Sequence, residues 1–248
     1  MIVCRSKAEI EKLRRSGQMV REVLEEARTR VQPGVTTIEL EAIVARRLTE
    51  LGARPAFKGY RGYPCCLCTS VNDEVVHGIP SERRLEEGDI LSLDLGVILD
   101  GYYGDSAITV PVGGIRDSLS KLLGVTEECL DLAITEARAG NRVGDISGVV
   151  QEHAERNGYS VVREFVGHGI GRALHEEPQV PNYGARGHGP LLKEGMVIAI
   201  EPMLNAGGAA VRIRDDHWTA VTVDGECSAH FEHMVAVTSN GADILTRL

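Results

Sequence analysis

Five residues have side chains of the types that bind divalent metal ions: Asp94, Asp105, His168, Glu201 and Glu232. Three of the four acids lie inside or at the end of apolar runs that are typical of buried strands. Carboxylates that converge in an apolar interior repel one another and are costly to desolvate. Two divalent cations about 3.5 Å apart would neutralise such a cluster, and many two-metal sites of this kind are hydrolytic. Taken singly, His168 could be a loop histidine and Glu201 a turn acid, so the hypothesis depends on all five together.

The first two acids are placed by a predicted β-hairpin. Asp100-Gly101, between two apolar runs, is a strong signal for a two-residue type I′ turn. With that turn, Gly96 faces Asp105 and Asp94 faces Ala107, so both acids share one face of the sheet as a diagonal pair. Such pairs have Cβ atoms about 7 Å apart or less, which leaves room for cations, and Gly96 leaves the space opposite Asp105 unfilled. The alternative is a pair of turn-flanking acids, but Asp94 interrupts a buried-type run in which an unpaired carboxylate would be costly.

Helices and strands that must position these residues can be read from caps and periodicity. Ser6 with Glu9 and Thr36 with Glu39 form capping boxes that predict where two helices begin. Two more helices are predicted over about 118–139 and 145–157. Besides the hairpin, we expect strands at 66–71, 161–166, 196–201, 209–213, 219–223 and 229–237.

An internal repeat indicates two similar halves. Gly34, Leu40, Ile43, Val44 and Gly52 recur as Gly140, Ile146, Val149, Val150 and Gly158, all at an offset of 106 residues. With one residue inserted, the apolar run before Asp94 aligns with the run before Glu201. We therefore expect two halves related by a pseudo-twofold axis, with the sheet acids meeting between them.

Composition narrows the class of protein. The 248 residues suffice for a sizeable core, and 43% of them are hydrophobic. The net charge of −9 argues against a nucleic-acid-binding surface. The lack of a long apolar stretch or charged leader predicts a cytoplasmic protein with no membrane association. Cys65, Cys66 and Cys68 lack the second pair of ligands that a structural zinc site needs, so we expect reduced thiols near a pocket.

Several longer motifs are shared with a known family. They are Lys58-Gly59-Tyr60 with Gly62-Tyr63-Pro64, Ser70-Val71-Asn72 with His77-Gly78-Ile79-Pro80, Asp94 with Asp100-Gly101-Tyr102 and Gly104-Asp105, Gly167-His168-Gly169-Ile170-Gly171, His175-Glu176-Glu177-Pro178, Ile200-Glu201-Pro202 and Glu232-His233. On these motifs the chain resembles the type I methionine aminopeptidases over nearly its whole length, and no zinc-binding extension is expected at its start, as in the bacterial type. The resemblance implies an α+β "pita-bread" fold, in which two pseudo-symmetric α/β halves surround a curved antiparallel sheet with helices outside. One catalytic domain would span 1–248, with halves of about 1–112 and 115–248.

The resemblance also implies roles for the acids. Asp94 would bind one cation, His168 and Glu201 the other, and Asp105 and Glu232 would bridge both. Mn, Fe, Co and Zn all suit carboxylate and imidazole ligands. A water between two cations has a lowered pKa and can attack a peptide carbonyl near neutral pH. Glu201 is then the candidate general base.

Two further histidines match non-ligand positions of the family. His175 would hydrogen-bond the carbonyl oxygen as it becomes an oxyanion, and His77 would contact the scissile amide nitrogen. The alternative for each is a loop histidine. The positions that would line the pocket for the first side chain are Tyr60, Tyr63, Cys68, Leu174 and Trp218. Ordinary core is the alternative for these, but aromatic and thiol walls suit the thioether of methionine, and Leu174 replaces the usual aromatic residue.

The remaining implications concern partners and ions. The substrates would be nascent polypeptides, met at the ribosome, with a small second residue after methionine. We expect a monomer that does not bind nucleic acid directly. A monovalent cation is expected near Asn72, Glu74 and Ser228.

Three alternatives remain open. A proline-specific aminopeptidase of the same fold would usually carry a large preceding domain, for which the repeat leaves no room. A binding protein that lost catalysis should lack one or more of the five ligand residues, and all are present. A purely structural α/β domain leaves the buried-type acids unexplained.

Overall fold

The structure is a computed structural model that describes residues 2–248. Besides a short 3-10 helix (Tyr60–Gly62), these residues form four α-helices. They are α1 (Lys7–Arg28), α2 (Thr37–Glu50), α3 (Asp117–Glu136) and α4 (Val143–Arg156). Both predicted capping boxes are confirmed, with Ser6 capping α1 and Thr36 capping α2. Helix α3 ends earlier than predicted because the chain turns to join a strand: the amide of Ala139 donates to the carbonyl of Thr238 over 3.0 Å.

All strand pairs within residues 2–248 are antiparallel and form four sheets. The strands are β1 (Arg54–Pro55), β2 (Leu67–Val71), β3 (Glu74–Val76), β4 (Ile90–Leu99), β5 (Tyr102–Pro111), β6 (Ser160–Val161), β7 (Gly167–Gly169), β8 (Glu176–Val180), β9 (Val197–Ile200), β10 (Met203–Asn205), β11 (Val211–Ile213), β12 (Ala220–Thr222), β13 (Ser228–His230), β14 (His233–Thr238) and β15 (Gly241–Ile244). In the first half, β4 pairs with β5 along one edge and with β1 and β2 along the other. In the second half, the largest sheet has the order β15-β14-β9-β7-β8.

The central hairpin has the predicted register. Gly96 faces Asp105 and Asp94 faces Ala107 across β4 and β5. The prediction that Gly96 leaves an unfilled space is wrong. A Cβ atom at Gly96 would lie only 2.5 Å from Cε1 of Phe57, so the glycine admits this aromatic ring beside Asp105.

Two predicted strands of the second half differ from the structure. The prediction of a strand over 161–166 is wrong except at Val161, where β6 ends, and the predicted strand over 229–237 is broken at Phe231 and Glu232, between β13 and β14. This break has a clear cause, because the amide of Glu232 donates to the carbonyl of Ala107 over 2.9 Å. This bond crosses from the second half to β5 and cannot coexist with a continuous second-half strand. The break turns Glu232 toward the hairpin that carries Asp94 and Asp105.

Each half has its own apolar core. One core contains Val20, Leu40 and Leu93 and lies among α1, α2 and the central hairpin. The other contains Leu122 and Ile198 and lies among α3, α4 and the second-half strands. The halves meet along β5, and the acids lie at this junction. In the described part of the chain, no helix has the length and apolar character needed to span a membrane.

Candidate active site

A cavity of about 130 Å³ lies where the two halves meet, and it brings the predicted site residues together. All twelve predicted residues line it: Tyr60, Tyr63, Cys68, His77, Asp94, Asp105, His168, Leu174, His175, Glu201, Trp218 and Glu232. Phe57 and Arg61, which were not predicted from sequence, line it as well. Residues from both halves therefore contribute to one pocket. Their individual roles stay predictions.

The five predicted ligand residues form the polar end of the cavity, and three of them are arranged so that they could hold a metal ion. Donor atoms of Asp105, His168 and Glu232 all lie within 4.8 Å of one another, and these three residues are buried. Among residues 2–248, buried oxygens of Asp94, Asp105 and Glu232 have no hydrogen-bond partner. Unpaired buried carboxylate oxygens are costly, and divalent cations would satisfy them.

His168 is oriented by its own backbone. Its Nδ1 lies 2.9 Å from the carbonyl oxygen of Gly169, so Nδ1–H donates and the lone pair of Nε2 points into the cavity. Nε2 is 3.7 Å from Oδ2 of Asp105 and 3.5 Å from Oε1 of Glu201. These separations are long for hydrogen bonds but suit atoms that share a metal ion at about 2.1 Å.

Glycines on both sides of His168 are required by packing. A Cβ atom at Gly167 would lie 2.4 Å from the carbonyl oxygen of Ala199, and one at Gly169 would lie 2.2 Å from that of Glu177. Strand β7 therefore fits between β8 and β9 only with glycine at these positions. The motif that the sequence shares with the family thus fixes the imidazole in the sheet.

Burial and mutual repulsion oppose ionisation of the clustered acids. Burial raises the pKa of Asp94 to about 7. Burial, followed by the charges of neighbouring acids, raises the pKa values of Asp105, Glu201 and Glu232 well above their usual range. Burial lowers the pKa of His168 to about 3, which keeps its imidazole neutral and able to bind a cation. The donor set therefore fits divalent metal ions.

Two further histidines, His77 and His175, flank the acids. Nδ1 of His175 lies 2.7 Å from the hydroxyl of Tyr60. His77 has a left-handed backbone with φ of 61°, and its ring packs edge-on against Phe165, with centroids 5.2 Å apart. Burial lowers the pKa of His77 to about 4, and burial followed by the charge of Arg61 lowers the pKa of His175. Both imidazoles are therefore neutral near pH 7.

The other end of the cavity is apolar. Tyr63 and Trp218 meet edge to face, with ring centroids 5.2 Å apart. The hydroxyl of Tyr63 lies 2.9 Å from the carbonyl oxygen of Gly78, which keeps its polar atom out of the slot. Cys68 and Leu174 are buried in the same cluster. A closed slot of this kind suits an unbranched apolar side chain.

A wider groove of about 530 Å³ leads from the cavity and shares Arg61, His77 and His175 with it. Phe165 lines this groove and was missed from sequence, as were Phe57 and Arg61 in the cavity. The signal for Phe57 and Arg61 was their position within and beside the motif of Tyr60. Phe165 lies three residues before His168, and this was the available signal.

His230 is another residue that sequence reasoning missed. It is 2% exposed, and Nε2 lies 3.8 Å from Oε2 of Glu201. Burial, followed by the charge of His77, lowers its pKa to about 3. Its place two residues before Glu232 was the available signal.

The predicted monovalent-cation loop has its own internal contacts. The carbonyl of Asn72 accepts from the amide of Ser228 over 2.8 Å, and Oε1 of Glu74 pairs with Arg83 and Arg214. The monovalent cation stays a prediction.

Comparisons with known proteins agree with this geometry. Residues 11–239 match the profile of metallopeptidase family M24. A methionine aminopeptidase of Bacillus subtilis is 51% identical over the full length of both chains. The crystal structure of a methionine aminopeptidase from Thermotoga maritima has 46% identity, a TM-score of 0.98 and complete coverage of both chains.

More distant structures share the fold. A prolidase from Pyrococcus furiosus is 25% identical with a TM-score of 0.82, and the match covers 99% of this chain but only 66% of the prolidase. The neighbours confirm the predicted pita-bread fold. Identity, coverage and structural similarity all favour the aminopeptidases over the proline-specific enzymes. The chain therefore belongs to metallopeptidase family M24, among the methionine aminopeptidases of that family.

Proposed function

We propose that this protein removes the N-terminal methionine from peptides and nascent proteins whose second residue is small. The observation that carries the proposal is a single cavity with unpaired buried carboxylates at one end and an aromatic, apolar slot at the other. The relatives that match over the full length are methionine aminopeptidases, which supports the proposal.

We propose that Asp94, Asp105, His168, Glu201 and Glu232 hold two divalent cations, with Mn, Fe, Co and Zn as candidates. Asp94 would serve one cation, His168 and Glu201 the other, and the two remaining acids both. When bound, such cations lower the pKa of water and polarise the carbonyl of the substrate. The positions of His168 Nε2 and the unpaired carboxylate oxygens support this assignment.

Glu201 is proposed as the general base. Its side chain is 13% exposed and borders the cavity, so it reaches both solvent and the acid cluster. A carboxylate in that position accepts the proton of the attacking water and later returns it to the leaving amine.

His175 is proposed to donate a hydrogen bond to the carbonyl oxygen of the substrate. When the hydroxyl of Tyr60 donates to Nδ1 of His175, the remaining proton of the neutral ring is on Nε2. Nε2–H is then a donor for the oxygen as negative charge develops on it. Tyr60 therefore sets the tautomer that the role requires.

His77 is proposed to contact the amide nitrogen of the scissile bond. Its ring lies in the passage between the cavity and the groove, against Phe165 and near Trp218. The left-handed backbone of His77 and the close packing of Gly78 against the carbonyl of Thr69 hold the ring in place. The second residue of the substrate must pass this constriction, which favours a small side chain there.

Selectivity for methionine is proposed to arise in the apolar slot. Tyr63, Trp218 and Cys68 offer aromatic and sulfur surfaces, and sulfur–aromatic contacts contribute about 0.3–1.5 kcal/mol. Charged side chains are excluded by desolvation cost. Leu174 keeps the wall apolar and is 2% exposed.

The cellular setting follows from this activity. We propose that the protein acts in the cytoplasm, as a monomer, on nascent chains at the ribosome, without contacting nucleic acid directly. The net charge of −9 supports the last point. We also propose a monovalent cation near Asn72, Glu74 and Ser228.

A peptide panel tests the proposed function. We expect release of methionine from Met-Ala-Ser and Met-Gly-Ser, slow cleavage of Leu-Ala-Ser, and none of Lys-Ala-Ser, acetylated Met-Ala-Ser or Met-Lys-Ser, measured by chromatography. The variant Asp131→Asn, in an exposed carboxylate on α3, is the matched control and should cleave like the wild type. Cleavage of Ala-Pro-Ser in preference to Met-Ala-Ser would move the assignment to the proline-specific enzymes. No cleavage of any peptide by metal-loaded protein would favour the binding protein.

A further inference from the structure

A buried histidine beside the acid cluster has no hydrogen-bond partner on its ring. His230 is 2% exposed, and neither Nδ1 nor Nε2 has a partner within residues 2–248. Buried polar side-chain atoms nearly always have a partner, and leaving one unsatisfied is destabilising. A histidine that served only to support the fold would have its nitrogens paired.

The backbone of His230 is fixed by the same hairpin that carries two of the acids. Its amide donates to Oγ1 of Thr109 over 2.9 Å, and that hydroxyl donates to the carbonyl oxygen of His230 over 2.7 Å. Oγ1 of Thr109 also lies 2.8 Å from the hydroxyl of Ser92 on β4. On the other side, His230 pairs with Met203 in β10. The ring is therefore positioned by its backbone and not by its own polar contacts.

The nearest acid to this ring is Glu201, which lies between two imidazoles. Its Oε1 is 3.5 Å from Nε2 of His168, on the side of the cavity, and its Oε2 is 3.8 Å from Nε2 of His230. A carboxylate that gives one oxygen to a cation leaves the other free to accept a hydrogen bond. A neutral imidazole has one N–H to donate. A small rotation of the side chain of Glu201 or of His230 would bring Oε2 of Glu201 and Nε2 of His230, now 3.8 Å apart, into hydrogen-bond range.

We propose that His230 is a positioning residue, which donates a hydrogen bond from Nε2 to Oε2 of Glu201 and so holds that carboxylate in its metal-binding orientation. Hydrogen bonds to ligating carboxylates orient them and raise metal affinity. Glu201 is also the proposed base, so the same contact fixes the oxygen that accepts the proton. The inference rests on the proposed role of Glu201 as a ligand.

Metal titration of chelator-treated protein tests this role. Mn²⁺ and Co²⁺ affinities are measured by calorimetry for the wild type, His230→Leu, His230→Gln and Glu201→Gln. The matched control is His153→Leu, at a half-buried histidine on α4 that is hydrogen-bonded to Glu128. We expect His230→Leu to bind about 10- to 100-fold more weakly. His230→Gln, which keeps an N–H donor, should bind within a few-fold of the wild type, and the control should be unchanged.

Thermal melting of the metal-free proteins separates positioning from structural support. Replacing an unpaired buried polar group by an apolar one can be neutral or stabilising. Metal-free His230→Leu should therefore melt at the wild-type temperature or above. If His230→Leu fails to fold, His230→Met is measured in its place.

The outcomes are distinct. Wild-type metal affinity in His230→Leu, together with weakened affinity in Glu201→Gln, overturns the positioning role alone. Wild-type affinity in Glu201→Gln overturns the ligand assignment on which the inference rests. A lower melting temperature for the metal-free apolar variant, with no rescue of affinity by glutamine, shows that the histidine is structural. A changed Co²⁺ absorption spectrum in His230→Gln would make His230 a direct ligand and would also overturn the proposal.

Discussion

Replacing Asp94 by asparagine should stabilise the metal-free protein while it weakens the binding of one of the two proposed cations. Asp94 is carried by β4 with a buried Oδ1 that has no hydrogen-bond partner in the described chain. Burial raises its pKa from 3.8 to about 7 in the folded, metal-free state. The folded state therefore binds this proton more tightly than the unfolded state does. The resulting stability is fully present below about pH 4 and is lost as the pH rises through about 7.

The expected size of the effect follows from this shift. A rise of the pKa from 3.8 to about 7 corresponds to about 4 kcal/mol at pH 8. This figure is an upper bound, because the pocket side of Asp94 contacts solvent, and we expect about 2–4 kcal/mol. For a chain of this size that is a rise of roughly 5–15 °C in the melting temperature. Asparagine has no charge to desolvate. The melting temperature of Asp94→Asn should therefore exceed that of the wild type at pH 8 and equal it at pH 4.

The assay is calorimetric melting of chelator-treated wild type and Asp94→Asn at pH 4, 6 and 8, with Asp131→Asn as the exposed control. Metal is then added back at pH 8. We expect metal to stabilise the wild type by mass action and to stabilise Asp94→Asn less, because only one of the two proposed cations is still held at full strength. A metal-free Asp94→Asn that melts below the wild type at pH 8 would refute the argument that the acid cluster is strained without cations.

Further predictions concern the other parts of the site. His175→Ala and His77→Ala should keep wild-type metal content and lose about 10²-fold or more in kcat, and loss of metal from either would contradict the assigned roles. Tyr60→Phe should lower kcat with little change in KM, because Nδ1 of His175 loses the hydroxyl that sets its tautomer; an unchanged kcat would exclude that function. Gly96→Ala should cost about 1–3 kcal/mol in unfolding free energy, since its Cβ would meet the Phe57 ring. Gly124→Ala, in open space on α3, should instead gain about 1 kcal/mol, and denaturant unfolding of both variants distinguishes packing from backbone effects.

The parts of the fold that were predicted from sequence depend on local rules. The Asp100-Gly101 turn has two residues, so it set the register of β4 and β5 over ten pairs. Both capping boxes have the residue types that satisfy free amides at a helix start. The five ligand candidates followed from their residue types and apolar surroundings, and the resemblance to the aminopeptidases added the two further histidines and the five pocket positions, all of which line the cavity.

Other features depend on contacts between distant parts of the chain. The apolar run over 229–237 shows no sign of a break, because the break is caused by the bond from Glu232 to Ala107 in the other half. The filling of the space at Gly96 by Phe57 is a packing event that no local pattern encodes. The ring of His230 lies beside Glu201 only because Thr109 fixes its backbone.

The central claim is that hydrolysis of methionyl peptides depends on divalent cations held by the acid cluster. The most direct measurement is release of methionine from Met-Ala-Ser by chelator-treated protein as Mn²⁺ or Co²⁺ is titrated back, with bound metal counted by mass spectrometry in the same samples. We predict no turnover in the metal-free protein, a rise in rate that follows metal bound per chain, and no rise in Asp105→Ala or Glu232→Ala. Full activity in protein shown to contain no metal would contradict the claim.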